Sequence, residues 1–362
     1  MSAAARLAVF IAFSGAGGVE RMVINLLGGI RAARPALAVD LVAVKAANVP
    51  RERLPQGITM VDLRVRHSTL AAVALARYLR RCRPDALLAA KDRAIRSAVL
   101  ARRLSGVDIR LIGRLGTNLS AALDGRSPAV RLLRRLPMRR YYRQVDSVVA
   151  VSEGVAEDTR RITGLPASQV TVIRNPVITA GLPRLAAEPV MHPWFCSPIA
   201  PVILGAGRLT RQKDFPTLIR AFARLRRERP AKLVILGEGN DRRALEALTA
   251  KLGIGEDVDL PGHVANPYAW MAKANLFVLS SIWEGSPNVL TEAIACGTPA
   301  LATDCPSGPR ELFADGRYGL LVPVGDDAAM AAAMSRVLDG PPPAGALCEA
   351  VREYSVEVST GR

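Results

Sequence analysis

Aromatic side chains make up only 4% of this 362-residue chain, and histidine occurs three times, at His67, His192 and His263. Half the residues are hydrophobic, so ordinary cores can form, but they must be built mainly from Ala, Leu, Val and Ile. The five cysteines, Cys82, Cys196, Cys296, Cys305 and Cys348, include no C-x-x-C pair and no Cys/His cluster. That spacing argues against a zinc site or a disulfide framework and fits reduced thiols in a cytosolic protein. No apolar run approaches the ~18 residues that a membrane span needs. The opening MSAAARLAVFIAFSGAGG has an apolar stretch too short for a signal peptide, and it runs straight into a glycine loop. No convincing D-x-D lies between strands and no His/Asp cluster offers a metal-ligand set.

An excess of one charge sign is confined to half the chain. The formal net charge is +17. Residues 1–190 hold 31 Lys/Arg against 13 Asp/Glu, whereas residues 191–362 hold 18 against 19. The whole excess therefore sits in the first half, which points to an anionic partner there: nucleic acid, anionic lipid or a phosphorylated substrate. A general bias towards arginine is the simpler alternative.

Continuous apolar runs of four to eight residues alternate with helical patterns. Strands are expected at Leu7–Phe13, Val39–Val44, Ile58–Val61, Ala86–Ala90, Arg110–Ile112 and Ser147–Val151. A second series is expected at Pro201–Ala206, Lys232–Leu236, Val258–Leu260, Leu276–Leu279, Ala300–Thr303 and Gly319–Val322. Runs of this kind imply parallel sheets covered on both faces, and two consecutive series imply two Rossmann-like domains. Proline-rich residues 175–200 read as a linker between domains 1–174 and 201–340, and residues 341–362 read as a C-terminal helical segment, with Ala346–Val358 helical. The chain stops soon after that helix begins, so a helix crossing back to the first domain is expected to be short or truncated.

Four loops carry residue types suited to binding chemistry. The glycine loop Ser14–Ile30 follows a strand and opens a helix. Gly15, Gly17 and Gly18 let backbone approach a ligand, and the helix N-terminus attracts an anion. A tight βα turn accounts for it equally well, because the spacing is not G-x-G-x-x-G. GAGRLTRQKDF, residues 205–215, places Arg208 and Lys213 on the loop after a strand, at the carboxyl edge where ligands of parallel sheets bind. A planar fork and a point charge suit a diphosphate. SSIWEGSPNVLTEAIACGTP, residues 280–299, holds Glu284 in a loop and Glu292 in the following helix, which Ser286 or Asn288 could cap. Backbone N–H groups at Asn288, Val289 and Leu290 would face a phosphate, and the carboxylates would accept from sugar and ribose hydroxyls. Arg310 and Glu311 in the following turn read as supporting charges or as a local ion pair. Gly207, Gly237, His263 and Val264 line the same rim as candidates for base contacts, through backbone more than side chain.

These segments, with LGEG, LPGHVANPYAWM and TDCPSGPREL, strongly resemble glycosyltransferase family 4. The likeness covers most of the chain and is most specific from about His192 to Asp326. The SPNVL and CPSGPRE wording looks most like bacterial members that build surface or lipid-linked oligosaccharides. The resemblance implies an α/β protein of the GT-B fold, two Rossmann-like domains with parallel sheets facing across an interdomain cleft. It implies a retaining, metal-independent hexosyltransferase using a nucleotide-sugar, UDP-hexose or UDP-N-acetylhexosamine, as co-substrate and a glycan or lipid-linked acceptor. Arg208, Lys213 and Glu284 would be the catalytic groups, with Glu292 on the ribose. GAGGVERMVINL resembles the family's acceptor-side loop, which gives Glu20 a role there.

One departure stands out. Many members carry a histidine after the fifth strand, where this chain has GRLGTNLSAAL, residues 113–123. Arg114, Thr117 or Asn118 would have to position the acceptor. The basic helices RYLRRCR and RLLRRLPMRRYYR suit docking on the inner face of the cytoplasmic membrane, and a solvated helix face is the plain alternative. An NAD(P)-dependent oxidoreductase would need G-x-G-x-x-G, although Asp40 lies near the right distance for its acidic residue. A basic membrane- or nucleic-acid-binding scaffold has only charge in its favour, and no RNA-binding signature occurs, so no nucleic-acid partner is expected.

Overall fold

The structure is a computed structural model that describes residues 5–11, 18–65, 68–120, 127–197 and 199–362. The chain divides into two compact units, one of Met1–Pro176 with Val356–Arg362 and one of Val177–Ser355.

The first unit alternates strands β1 (Arg6–Ile11), β2 (Ala38–Ala43), β3 (Ile58–Asp62), β4 (Ala86–Ala90), β5 (Arg110–Leu115), β6 (Ser147–Ala150) and β7 (Val170–Val172) with helices α1 (Gly18–Ala33), α2 (Ser68–Cys82), α3 (Asp92–Ser105), α4 (Pro128–Tyr142) and α5 (Glu153–Thr163). All pairs are parallel, in the order β3-β2-β1-β4-β5-β6-β7. The apolar runs explain this, because both faces of each central strand are covered. One face packs in a cluster with Leu75, Leu79, Ile95, Tyr142 and Val155, and the other with Met22, Val23 and Leu27 of α1. Local signals set the helix ends: Ser152 Oγ accepts from Val155 N at 3.2 Å to start α5, and Gly164 ends it in the left-handed region.

In the second unit, two short helices, α6 (Leu182–Ala186) and α7 (Pro193–Cys196), precede β8 (Val202–Ala206). Then follow α8 (Phe215–Glu228), β9 (Lys232–Leu236), α9 (Arg242–Lys251), β10 (Val258–Gly262), α10 (Pro267–Lys273), β11 (Leu276–Leu279), α11 (Asn288–Ala295), β12 (Ala300–Thr303), α12 (Pro309–Leu312), β13 (Leu320–Val322), α13 (Asp327–Asp339) and α14 (Ala344–Val351). The parallel sheet has the order β10-β9-β8-β11-β12-β13. The last helix, α15 (Val356–Gly361), belongs to the first unit.

Several expectations are corrected. The three-residue strand β7 was not expected; it is too short to show a periodic pattern, and pairing with β6 defines it. β5 runs to Leu115 rather than Ile112, because neighbours on both sides continue the ladder through Arg114. Residues 175–200 are not an open linker. Asn266 Nδ2 donates to Leu185 O and Glu188 Oε2, each at 2.8 Å, and His192 Nε2 lies 3.0 Å from Asp259 Oδ2, which ties the stretch after Val177 to the second unit, while Arg114 and Asn25 hold Asn175 and Pro176 to the first. The helix expected at Ala346–Val358 is broken, because Ser355 is extended and Tyr354 O accepts from Val177 and Ile178 N–H groups. Among the described residues, no helix is long and apolar enough to cross a membrane.

Candidate active site

In the second unit the strand order reverses between β8 and β11, and the loops after those two strands meet there. Such a reversal opens a crevice at the carboxyl ends of the strands. Lys213 Nζ lies 2.6 Å from Glu284 Oε1 across it, and both side chains are largely buried. Ser281 Oγ donates to the same carboxylate oxygen at 2.7 Å. Ser280 Oγ donates to Lys213 O at 2.7 Å, and Thr303 Oγ1 to Ser281 O at 2.6 Å. Gln212 further ties the two loops, donating to Trp283 O and accepting from Ile282 N. A buried ion pair whose carboxylate oxygen also accepts from Ser281 is held in one geometry, and an anion entering the crevice would compete with Glu284 for the ammonium. Burial pushes the nearby Cys305 thiol up to about 12, helped by Glu284 and opposed by Thr303 and Lys213, so it stays a neutral thiol.

Arg208 lies on the same loop with its guanidinium exposed. Gly237, at φ +131°, faces Gly207 so closely that a Cβ would stand 1.9 Å from Gly207 O. Gly237 therefore serves to knit the loops after β8 and β9, reinforced by Leu209 N donating to Glu238 O at 2.9 Å. The start of α11 differs from expectation. Pro287 occupies the N-cap and neither Ser286 nor Asn288 caps the helix. Ser286 Oγ is instead buried without a hydrogen-bond partner. Leu290 is fully buried in the core, so only its backbone can serve a ligand, whereas Val289 and Val264 are half-buried beside the same cluster. Glu292, 3% exposed, accepts from Tyr268 Oη at 3.4 Å, and with burial it pushes the Cys296 thiol up to about 12. His263 is exposed. Arg310 pairs locally with Asp304 and Asp315 and lies outside this group.

The first unit has the same kind of reversal, between β1 and β4. Lys91, just past β4, lies 3.1 Å from Glu20 in the first turn of α1. Lys91 has φ +82°, a backbone state that costs about 1–3 kcal/mol outside glycine and gathers at binding sites. Gly18 begins α1, and Gly17 lies outside the described residues, as do Ser14, Gly15 and His67. Arg114, one residue before the end of β5, is 4% exposed and donates to Asn175 Oδ1 at 2.5 Å. Burial lowers its pKa to about 10. Asn118 is half-buried beyond it. Asp40 does not face this edge: it is buried, accepts from Tyr78 Oη at 2.5 Å and pairs with Arg6, which removes the acidic residue of the oxidoreductase alternative.

Sequence reasoning missed Lys91, Asn175, Ser280, Ser281 and Tyr268. The available signal was position, since Lys91 and the two serines directly follow a strand.

Two doubly wound parallel sheets, each with an ion pair at its reversal point, define two Rossmann-like units. The chain belongs to glycosyltransferase family 4 and has the GT-B fold. Residues 16–180 match the family described as Glycosyltransferase Family 4, and residues 199–357 match Glycosyl transferases group 1. A lipopolysaccharide core biosynthesis glycosyltransferase of Rhizobium meliloti is 31% identical over 261 residues, covering 72% of this chain and 67% of that protein. The N-acetylgalactosamine-N,N'-diacetylbacillosaminyl-diphospho-undecaprenol 4-alpha-N-acetylgalactosaminyltransferase of Campylobacter jejuni is 36% identical over 199 residues, 55% of this chain. That match spans only 52% of the Campylobacter protein. The Anabaena HepE structure in complex with UDP and glucose superposes with a TM-score of 0.78 at 18% identity, covering 99% of this chain and 97% of that one.

Proposed function

We propose that the protein is a retaining glycosyltransferase that moves a hexose or N-acetylhexosamine from a UDP-sugar to a glycan or lipid-linked acceptor in surface-glycan assembly. The observation that carries this reading is the Lys213–Glu284 pair at the strand reversal of the second unit, with Arg208 on the same loop. In this scheme Arg208 and Lys213 stabilise the charge that develops on the departing diphosphate. Glu284, released from Lys213 when the diphosphate enters, accepts from sugar hydroxyls near the reacting centre. Glu292 turns from Tyr268 to the ribose diol, and the buried Ser286 hydroxyl finds its partner in a phosphate oxygen. No metal takes part in the scheme, because the two cations take the place of one. The named activities of the Rhizobium and Campylobacter relatives and the UDP bound to the Anabaena protein support the class of donor and acceptor.

The first unit takes the acceptor, with Glu20, Lys91, Arg114 and Asn118 nearby, and works at the cytoplasmic face of an anionic membrane. Two leucines of α4, Leu133 and Leu136, are 70% and 59% exposed, beside exposed Arg139, Arg140 and Arg143. An apolar edge flanked by cations fits a headgroup layer, where each cation contributes about 1 kcal/mol.

A nucleotide-sugar hydrolysis panel tests the donor reading. Slow release of UDP from at least one UDP-sugar is expected. Turnover of no member, together with thermal stabilisation by NAD alone, would refute it.

A further inference from the structure

Along the middle of the first sheet the two faces are covered unequally. Leu87, Leu111 and Val148 on one face are 0% exposed. Leu88, Ile112 and Val149 on the other are only half-buried, as is Ile173 just past β7. Among the described residues, α1 and the short α15 lie over this part of the second face. These two helices touch closely, since a Cβ on Gly29 would stand 2.5 Å from Thr360 Cγ2. The gap they leave is a cavity of about 200 Å³, lined by the half-buried strand residues and by Leu26 and Ile30 of α1. That is more than ten times the ~15 Å³ that one water needs.

The cavity is apolar along its length and cationic at its edge. Arg114, Arg174 and Arg362 line it, and among the described residues no Asp or Glu side chain does. Arg114 is the informative one. It is 4% exposed, and its Nη1 is buried without a hydrogen-bond partner while Nη2 serves Asn175. A buried guanidinium with an unmade hydrogen bond is costly, and a water would satisfy the N–H without neutralising the charge. The chemical complement of the whole cavity is an anion joined to an apolar body.

We propose that this cavity is a binding site for a single-chain anionic amphiphile, a carboxylate on a hydrocarbon tail, with the head against Arg114 and the tail along Leu88, Ile112 and Val149. The site lies within the first unit, whereas the proposed donor crevice lies within the second.

Isothermal titration of the full chain with octanoate, and with octanol as the uncharged match, tests it. Saturable one-to-one binding of octanoate is expected, with octanol about tenfold weaker or more, the size of a charged hydrogen bond. Arg114→Gln should bring octanoate down to the octanol level. Leu26→Trp should block both probes by filling the cavity, with an unchanged melting temperature as the check on folding. Saturating UDP should leave octanoate binding unaltered, so failure of the donor reading does not touch this one. Absence of saturable octanoate binding, equal affinity for the two probes, or indifference to Leu26→Trp in the folded variant would overturn the proposal.

Discussion

The two strand reversals solve one topological problem with opposite polarity. In the second unit the cation comes from the loop after the first strand of the pair and the acid from the loop after its neighbour: Lys213, then Glu284. In the first unit the acid comes first, Glu20, and the cation second, Lys91. The surroundings differ as well. Lys213 and Glu284 are both buried and braced by Ser280, Ser281, Gln212 and Thr303. Lys91 is 37% exposed over a buried Glu20. A braced, enclosed pair is suited to one ligand geometry, and an open pair beside a basic surface is suited to a larger and more varied partner. The charge count says the same at the scale of the chain, since the second half is close to neutral and the first half carries the excess.

The comparison can be broken by variants on each side. The largest effect is expected at Lys213. Lys213→Ala should lower transfer about 100- to 1,000-fold, the usual loss when a donor to developing negative charge is removed. It should also lower the melting temperature, because Glu284 is left buried without its cation. Steady-state rates and a thermal melt on the same preparation check both. Next comes the basic face of α4. Replacing Arg139, Arg140 and Arg143 together by Gln should weaken binding to phosphatidylglycerol vesicles about 100-fold, from roughly 1 kcal/mol per cation. Donor hydrolysis should stay the same; tight binding of RNA at physiological salt with none to vesicles would replace the membrane by a nucleic acid. The smallest effect is expected at the first reversal. Lys91→Ala should raise the acceptor KM about tenfold, within the range for an interaction with a charged group, while donor hydrolysis is unchanged. If donor hydrolysis falls instead, the division of labour between the two reversals is wrong.

Much of the fold was legible because its strands are buried on both faces and so read as unbroken apolar runs, as in Lys232–Leu236 and Leu276–Leu279, which fall where expected. β7 was not, because three residues paired only to β6 carry no period of their own. The stretch 175–200 misled through its prolines. Its order comes from contacts to Asn266, Asp259 and Lys273, far away in sequence, which composition cannot show. At the site, Arg208, Lys213, Glu284 and Glu292 stood out because each sits in a motif-bearing loop or its helix. Their bracing did not. Ser281 and Thr303 look like ordinary strand ends until the sheet places them together, and Lys91 acquires meaning only from Glu20, 71 residues earlier. The backbone at Lys91 is a further case, since no residue pattern announces a lysine at φ +82°.

The central claim is that the reversal between β8 and β11 is the donor site. Its most direct test is donor hydrolysis by the wild type and by Glu284→Ala, run on whichever UDP-sugar the wild type turns over, with UDP affinity measured in parallel. Glu284→Ala should bind UDP as tightly as the wild type, or more tightly because Lys213 is freed, yet release none of it from the sugar. Hydrolysis at the wild-type rate in the folded variant would contradict the claim.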